Sequence, residues 1–214
     1  MTDFAEQSGA RMRPRGRERP GLASGIQMYR LFVAIDLPAD IKEKLLAIGG
    51  GIQGARWLTA EQIHLTLKFV GEVDGGVFED ILDALKEVSS EPFELTLKGV
   101  GHFPPRRNPE VLWVGVAKNE RLVQLRNRIE STLARIGLAR EQRKFAPHVA
   151  IARLRDPHID RVARFLSENS LLEISAFPVT EFTLFSSVLA SEGAQHQIEA
   201  VYQLSRNGNH GIQA

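Results

Sequence analysis

The feature that most limits how this chain can fold is an internal repeat. "HLTLKFVGEVDGGVFEDILDAL" begins at His64, and "HVAIARLRDPHIDRVARFLSEN" begins at His148, 84 residues later. Each runs from an apolar, alternating segment into an amphipathic one. The apolar positions keep step: Phe78, Ile81 and Leu82 correspond to Val162, Phe165 and Leu166, and only Leu85, matched by Asn169, departs. Phe93 and Phe177 open the next apolar segments at the same offset, and "LFVAIDLPADIKEKLLAI" from Leu31 resembles "LWVGVAKNERLVQLRNRI" from Leu112. Recurrence at a fixed spacing marks one structural block used twice.

Each half reads strand, helix, strand, helix, strand. In the first half "RLFVAID", "IHLTLKFV" and "PFELTLKGVGHF" predict strands. "PADIKEKLLAI" and "GGVFEDILDALKEV" predict helices, with Asp74 as a cap. The second half gives strands "EVLWVGVA", "PHVAIARL" and "AFPVTEFTLFSS", and helices "NERLVQLRNRIESTLARIG" and "HIDRVARFLSEN". Gly137 is the expected stop of the first of these helices. A last strand, "HQIEAVYQLS", follows. The expectation is an α+β, bilobal, duplicated fold: two antiparallel-type sheets face a central groove, with helices outside. One domain over 28–205 holds lobes of about 28–105 and 110–205, and the repeat allows strand exchange between them. Residues 1–27 carry five arginines among Gly, Pro and Ser without periodicity, which predicts a disordered basic tail. Residues 206–214 predict a flexible C-terminal tail.

Composition narrows the chemistry. The chain has no cysteine, which excludes disulfides, thiol nucleophiles and thiolate-bound metals. The net charge of +1 carries no global field for nucleic acid or membrane, though a local basic groove is compatible with it. No apolar run has the length of a membrane span, so no membrane partner is expected, and the lack of cysteine fits a cytoplasmic location. The duplication supplies an internal two-fold, which points to a monomer without an obligate protein partner.

Along a strand, residues i and i+2 share a face. His64, Thr66 and Lys68 then share one side, as do His148, Ala150 and Ala152. If the lobes face each other, the two imidazoles converge. A histidine pair without carboxylates suits acid–base work, one ring taking a proton while the other gives one, rather than a metal. A phosphodiester fits between them because its charge favours one imidazolium. Thr66 could donate to a phosphate oxygen, and Lys68 could neutralise its charge. Arg153 follows the second motif and fits a phosphate or RNA contact, although strict alternation turns it away from His148, so a twist or a strand end is needed to bring it in. Arg143 and Lys144, with Arg106 and Arg107, could form a basic rim for RNA. Phe32 could face the groove as a stacking ring, and Trp57 and Trp113 read as structural. His102, His158, His196 and His210 lack the symmetry of the pair and read as incidental.

Together, "HLTLKFVGEV", "FAPHVAIAR", "VLWVGV", "VTEFTLFSS" and "RLFVAIDLP" resemble the 2H phosphoesterase superfamily, in particular the RNA 2′,3′-cyclic phosphodiesterases, also called 2′-5′ RNA ligase-like proteins. The resemblance covers roughly 29–204. It implies a phosphoric diester hydrolase that opens a 2′,3′-cyclic phosphate on RNA to a 2′-phosphate without metal or cofactor. It implies His64 as proton donor to the departing 3′ oxygen and His148 as proton acceptor that activates water. It also implies 2′-5′ ligation of RNA ends such as tRNA halves in some members. The second motif of the family carries Thr or Ser where this chain has Ala150, so one phosphate-binding hydroxyl is missing. Two other readings fit the same motifs: an RNA-end-binding module weakened in catalysis, and an enzyme for small cyclic nucleotides.

Overall fold

The structure, a computed structural model, describes residues 27–105, 108–190, 193–205 and 212–213. Both expected tails, except Gln27 and Ile212–Gln213, and the Arg106–Arg107 pair lie outside these residues. Among the described residues ten strands form one sheet: β1 (Met28–Asp36), β2 (Ala55–Trp57), β3 (His64–Asp74), β4 (Phe93–Phe103), β5 (Val111–Val116), β6 (His148–Leu154), β7 (Glu173–Val179), β8 (Glu181–Ala190), β9 (Gly193–Gln203) and β10 (Ile212–Gln213). The helices are α1 (Ala39–Ala47), α2 (Gly75–Lys86), α3 (Glu120–Arg135) and α4 (Ile159–Glu168).

Local chemistry explains the helix ends. Pro38, with no N–H to satisfy, precedes α1. Asp74 accepts from the Val77 N–H at 3.0 Å to start α2, as expected. Asn119 does the same for α3 through Leu122 at 2.9 Å. Gly137, at φ +93°, ends α3: its N–H bonds the Ala134 carbonyl while Leu138 N–H reaches back to Leu133. That pair of bonds is a Schellman stop, which needs a residue tolerant of positive φ.

Sheet order exposes the two-fold. The strands run β10-β9-β8-β1-β3-β6-β5-β4-β7, with β2 on β6. From the centre outward, β3-β1-β8 on one side mirrors β6-β5-β4 on the other. The halves meet at one antiparallel pair, Leu65 with Val149, which are equivalent positions of the repeat. The two expected sheets are thus the two halves of a single curled sheet. Strands are exchanged: β4, from the first repeat, joins β5, and β8, from the second, joins β1. The single strand expected over "AFPVTEFTLFSS" is two, broken at Thr180, whose carbonyl accepts from Leu204 N–H at 2.7 Å. β7 pairs with β4 in one half and β8 with β1 and β9 in the other.

The helices cover one side of the sheet. Leu31, Val33, Leu65 and Val149 point there and meet Ile41, Leu45, Ile81, Leu85, Leu125, Ile129 and Phe165 in one buried cluster. At about 25 cal/mol per Å² of apolar area, this burial is the main force closing the layer. Among the described residues the other side carries a small separate cluster, Phe32, Ala34 and Phe185. That side is the groove.

A candidate two-histidine active site

The groove holds a cleft of about 560 Å³ lined by His64, Thr66, His148, Ala150 and Arg153, among others. Both histidines open their strands beside the two-fold. Antiparallel register around Leu65–Val149 sets Ala150 across from His64 and Thr66 across from His148. The four motif positions thus form one patch on the groove face.

Each ring is braced from two residues upstream. His148 Nδ1 lies 2.8 Å from the Ala146 carbonyl. A carbonyl only accepts, so Nδ1 carries the proton and the neutral ring leaves Nε2 as a free acceptor. His64 bonds the backbone of Gln62 in the matching position. The walls differ. His64 packs against Phe32 at 4.7 Å between ring centres, Phe185 at 6.0 Å and His196 at 5.2 Å. His148 packs edge-on against Phe103 at 4.9 Å, with Trp113 at 6.3 Å. Burial, then the neighbouring His196 and Lys42, push the His64 imidazole down to about 3, with Arg153 adding to this. In the absence of an anion His64 is therefore neutral at neutral pH.

A repeated β-bulge decides which further side chains reach the cleft. On β3, Ala34 pairs with Thr66 but Val33 pairs with Lys68, so Leu67 is skipped. On β6, Trp113 pairs with Ala150 but Leu112 pairs with Ala152, so Ile151 is skipped. An extra residue reverses the alternation beyond it. Lys68 and Ala152 therefore turn to the core, while Phe69 and Arg153 turn to the cleft.

This corrects the expectation for Lys68. It is 5% exposed, pairs with Glu130 at 3.0 Å, and donates to the Ala139 carbonyl at 2.8 Å. A phosphate in the cleft would have to break that pair to reach it. Ala152, expected beside His148, is also buried. Arg153 gains the cleft position that plain alternation denied it. Phe32 faces the groove but is only 3% exposed, so it is a floor for His64 rather than a ring open to a base. Phe69, 69% exposed at the cleft edge, was missed.

Arg143 and Lys144 line an adjoining cavity of about 590 Å³, which shares Thr66, Phe69, Phe103, Val111 and His148 with the cleft. Trp57 packs on Phe165, and Trp113 lies under Gly101. His158 stands at the start of α4 without a side-chain capping bond. His196, read as incidental, sits in the cleft against the proposed donor. No local pattern in "AQHQIEA" announces this, because the strand carrying it is brought in by the curl of the sheet. His210 lies outside the described residues. Among the described residues no cluster of three His, Asp or Glu could hold a metal ion, and no helix is long and apolar enough to cross a membrane.

Comparison with known proteins agrees with this geometry. Proteins named RNA 2′,3′-cyclic phosphodiesterase match from Archaeoglobus fulgidus (32% identity, 81% of this chain, 99% of the relative) and Escherichia coli (34%, 75% and 88%). The crystal structure of E. coli LigT complexed with 3′-AMP superposes with a TM-score of 0.67 at 29% identity, covering 84% of this chain and 99% of that one. The family model described as the 2′-5′ RNA ligase superfamily matches residues 52–189. The chain belongs to the 2′-5′ RNA ligase superfamily.

Proposed function

We propose that the protein is an RNA 2′,3′-cyclic phosphodiesterase in which His64 and His148 act as acid and base across one phosphate. The observation that carries this is the convergence of the two braced imidazoles on a single cleft beside the two-fold. The names of the relatives support the same activity.

The cyclic phosphate lies over the Leu65–Val149 pair. Water on the His148 side loses a proton to Nε2 and attacks phosphorus. The P–O3′ bond breaks in line, and the departing oxygen takes a proton from His64. The product is a 2′-phosphate with a free 3′-hydroxyl. Thr66 donates to a non-bridging oxygen, and Arg153 offsets its charge. The depressed His64 gains its proton when the phosphate anion enters, because an opposite charge favours imidazolium. The ribose therefore lies on the His64 side. Arg143 and Lys144 hold RNA phosphates beyond the cleft, and a 5′-hydroxyl replacing water would give a 2′-5′ linkage between RNA ends such as tRNA halves. Residues 28–205 work as one duplicated domain.

The test is turnover of an oligoribonucleotide ending in a 2′,3′-cyclic phosphate, with EDTA present and the product's phosphate position identified. His64→Ala and His148→Ala should each abolish turnover while leaving RNA binding largely intact. A panel of cyclic mononucleotides separates the small-substrate reading. Turnover that survives both substitutions, or that needs a divalent metal, overturns the proposal.

A further inference from the structure

Two of the departures from symmetry in the site fall on the same side. His148 has the Thr66 hydroxyl across from it, whereas His64 has Ala150, which can donate nothing. His64 also has a neighbour that His148 lacks. His196 on β9 packs edge-on against it, with ring centres 5.2 Å apart and planes at 85°, and lines the same cleft.

The placement of His196 is fixed by the fold. Its backbone pairs with Ser187 on β8, and its own strand β9 lies three strands from β3 by way of β8 and β1. Three strand spacings of about 4.8 Å amount to roughly 14 Å, and the register sets His196 near the Leu31 end of β1 while His64 lies opposite Asp36, so a flat sheet would hold the two histidines well beyond that distance. The curl of the sheet closes that distance. Gln62, whose backbone braces His64, donates through its side chain to the Ala194 carbonyl at 2.9 Å. That bond ties the start of β3 to the part of β9 that carries His196. Phe32 fixes the ring from below at 4.9 Å.

One ring nitrogen is already assigned by its surroundings. His196 Nδ1 is buried with no hydrogen-bond partner among the described residues. An N–H there would be desolvated and unpaired, which costs about 1–3 kcal/mol. Only Nε2 is then free to meet a ligand in the cleft, where the Nε2–H tautomer would serve as a donor.

We infer that His196 is a further phosphate-binding residue, its Nε2–H taking the part on the His64 side that a hydroxyl at position 150 would take. The inference rests on the proposed function for the identity of the ligand, an RNA-end phosphate.

The experiment uses the full chain and two readouts, the affinity for a nucleoside 2′-phosphate and kcat/KM on the cyclic phosphate. His196→Phe keeps the flat ring and removes the donor. It should weaken both by roughly ten- to a hundredfold, the scale of one hydrogen bond to a charged group. His196→Gln keeps a donor and should recover most of the loss. Ala150→Thr placed in the His196→Phe background should restore most of what His196→Phe loses, because the added hydroxyl supplies the missing donor on the same side. Phosphate binding unchanged in His196→Phe overturns the inference, as does a loss that neither Ala150→Thr nor His196→Gln repairs. If the wild type binds the 2′-phosphate but turns over no cyclic ester, the proposed function fails while the binding arm still judges His196.

Discussion

Acidification gives the sharpest test of the electrostatics at His64. Its folded value of about 3 lies well below the ordinary 6.5, chiefly through burial and then through His196. Between those values the unfolded chain takes up a proton that the folded protein refuses. Stability therefore rises with pH across this window and is lost as pH falls from 6.5 towards 3. At about 1.36 kcal/mol per unit, moving to pH 5 removes about 2 kcal/mol that is owed to His64 alone. His64→Gln cannot titrate, so comparing it with wild type isolates this residue. In thermal melts at pH 7.5 and pH 5.0, the wild type should lose about 2 kcal/mol more than His64→Gln, or roughly 4–8 °C for a domain of this size. Saturating inorganic phosphate should shrink the difference, because a bound anion stabilises the imidazolium. Parallel losses in the two proteins at both pH values would refute the burial of a neutral His64.

Three further outcomes follow from contacts around the cleft. Lys68→Met leaves Glu130 with Arg126, 3.2 Å away, as its remaining cation, and should cost about 3 kcal/mol in chemical denaturation. The folded variant should bind phosphate within about twofold of wild type; a selective loss of phosphate binding would return Lys68 to the cleft. Gly101→Ala sets a methyl 2.2 Å from the Trp113 ring, so it should destabilise by about 1–3 kcal/mol. Because Trp113 flanks His148, the same variant should lower kcat, measured on a cyclic mononucleotide. Arg153→Met should raise KM for the cyclic phosphate about tenfold and flatten its salt dependence, with little change in melting temperature.

The two-lobed plan, all four helices and the convergence of His64 with His148 were legible because they rest on periodicity and on a repeat that spans most of the chain. The bulges were not. "HLTLKF" and "HVAIAR" alternate without a glycine or proline to mark an extra residue, so plain period-two counting sent Lys68 to the cleft and gave no route for Arg153 to the phosphate contact expected of it. The structure reverses both through one device used twice. His196 escaped for a different reason. Its importance comes from the curl of the sheet, which no window of sequence encodes. The break at Thr180 was hidden because β7 and β8 are both apolar and β-branched, and only their pairing partners differ.

Duplication supplies geometry but works against chemistry. A true two-fold would give both imidazoles the same environment, whereas an in-line displacement needs one to give a proton and the other to take one. The exchanged strands break that equivalence. β8 and β9 bring Phe185 and His196 over His64, and Lys42 adds a nearby positive charge. β4 brings Phe103 to His148, whose cleft opens into the second cavity. The His64 side is therefore the closed one, where a departing oxygen can be protonated away from bulk water. The His148 side is the open one, where a nucleophile can enter. Substitutions that equalise the two environments should cost turnover more than phosphate binding, because binding uses what the two halves share and displacement uses how they differ.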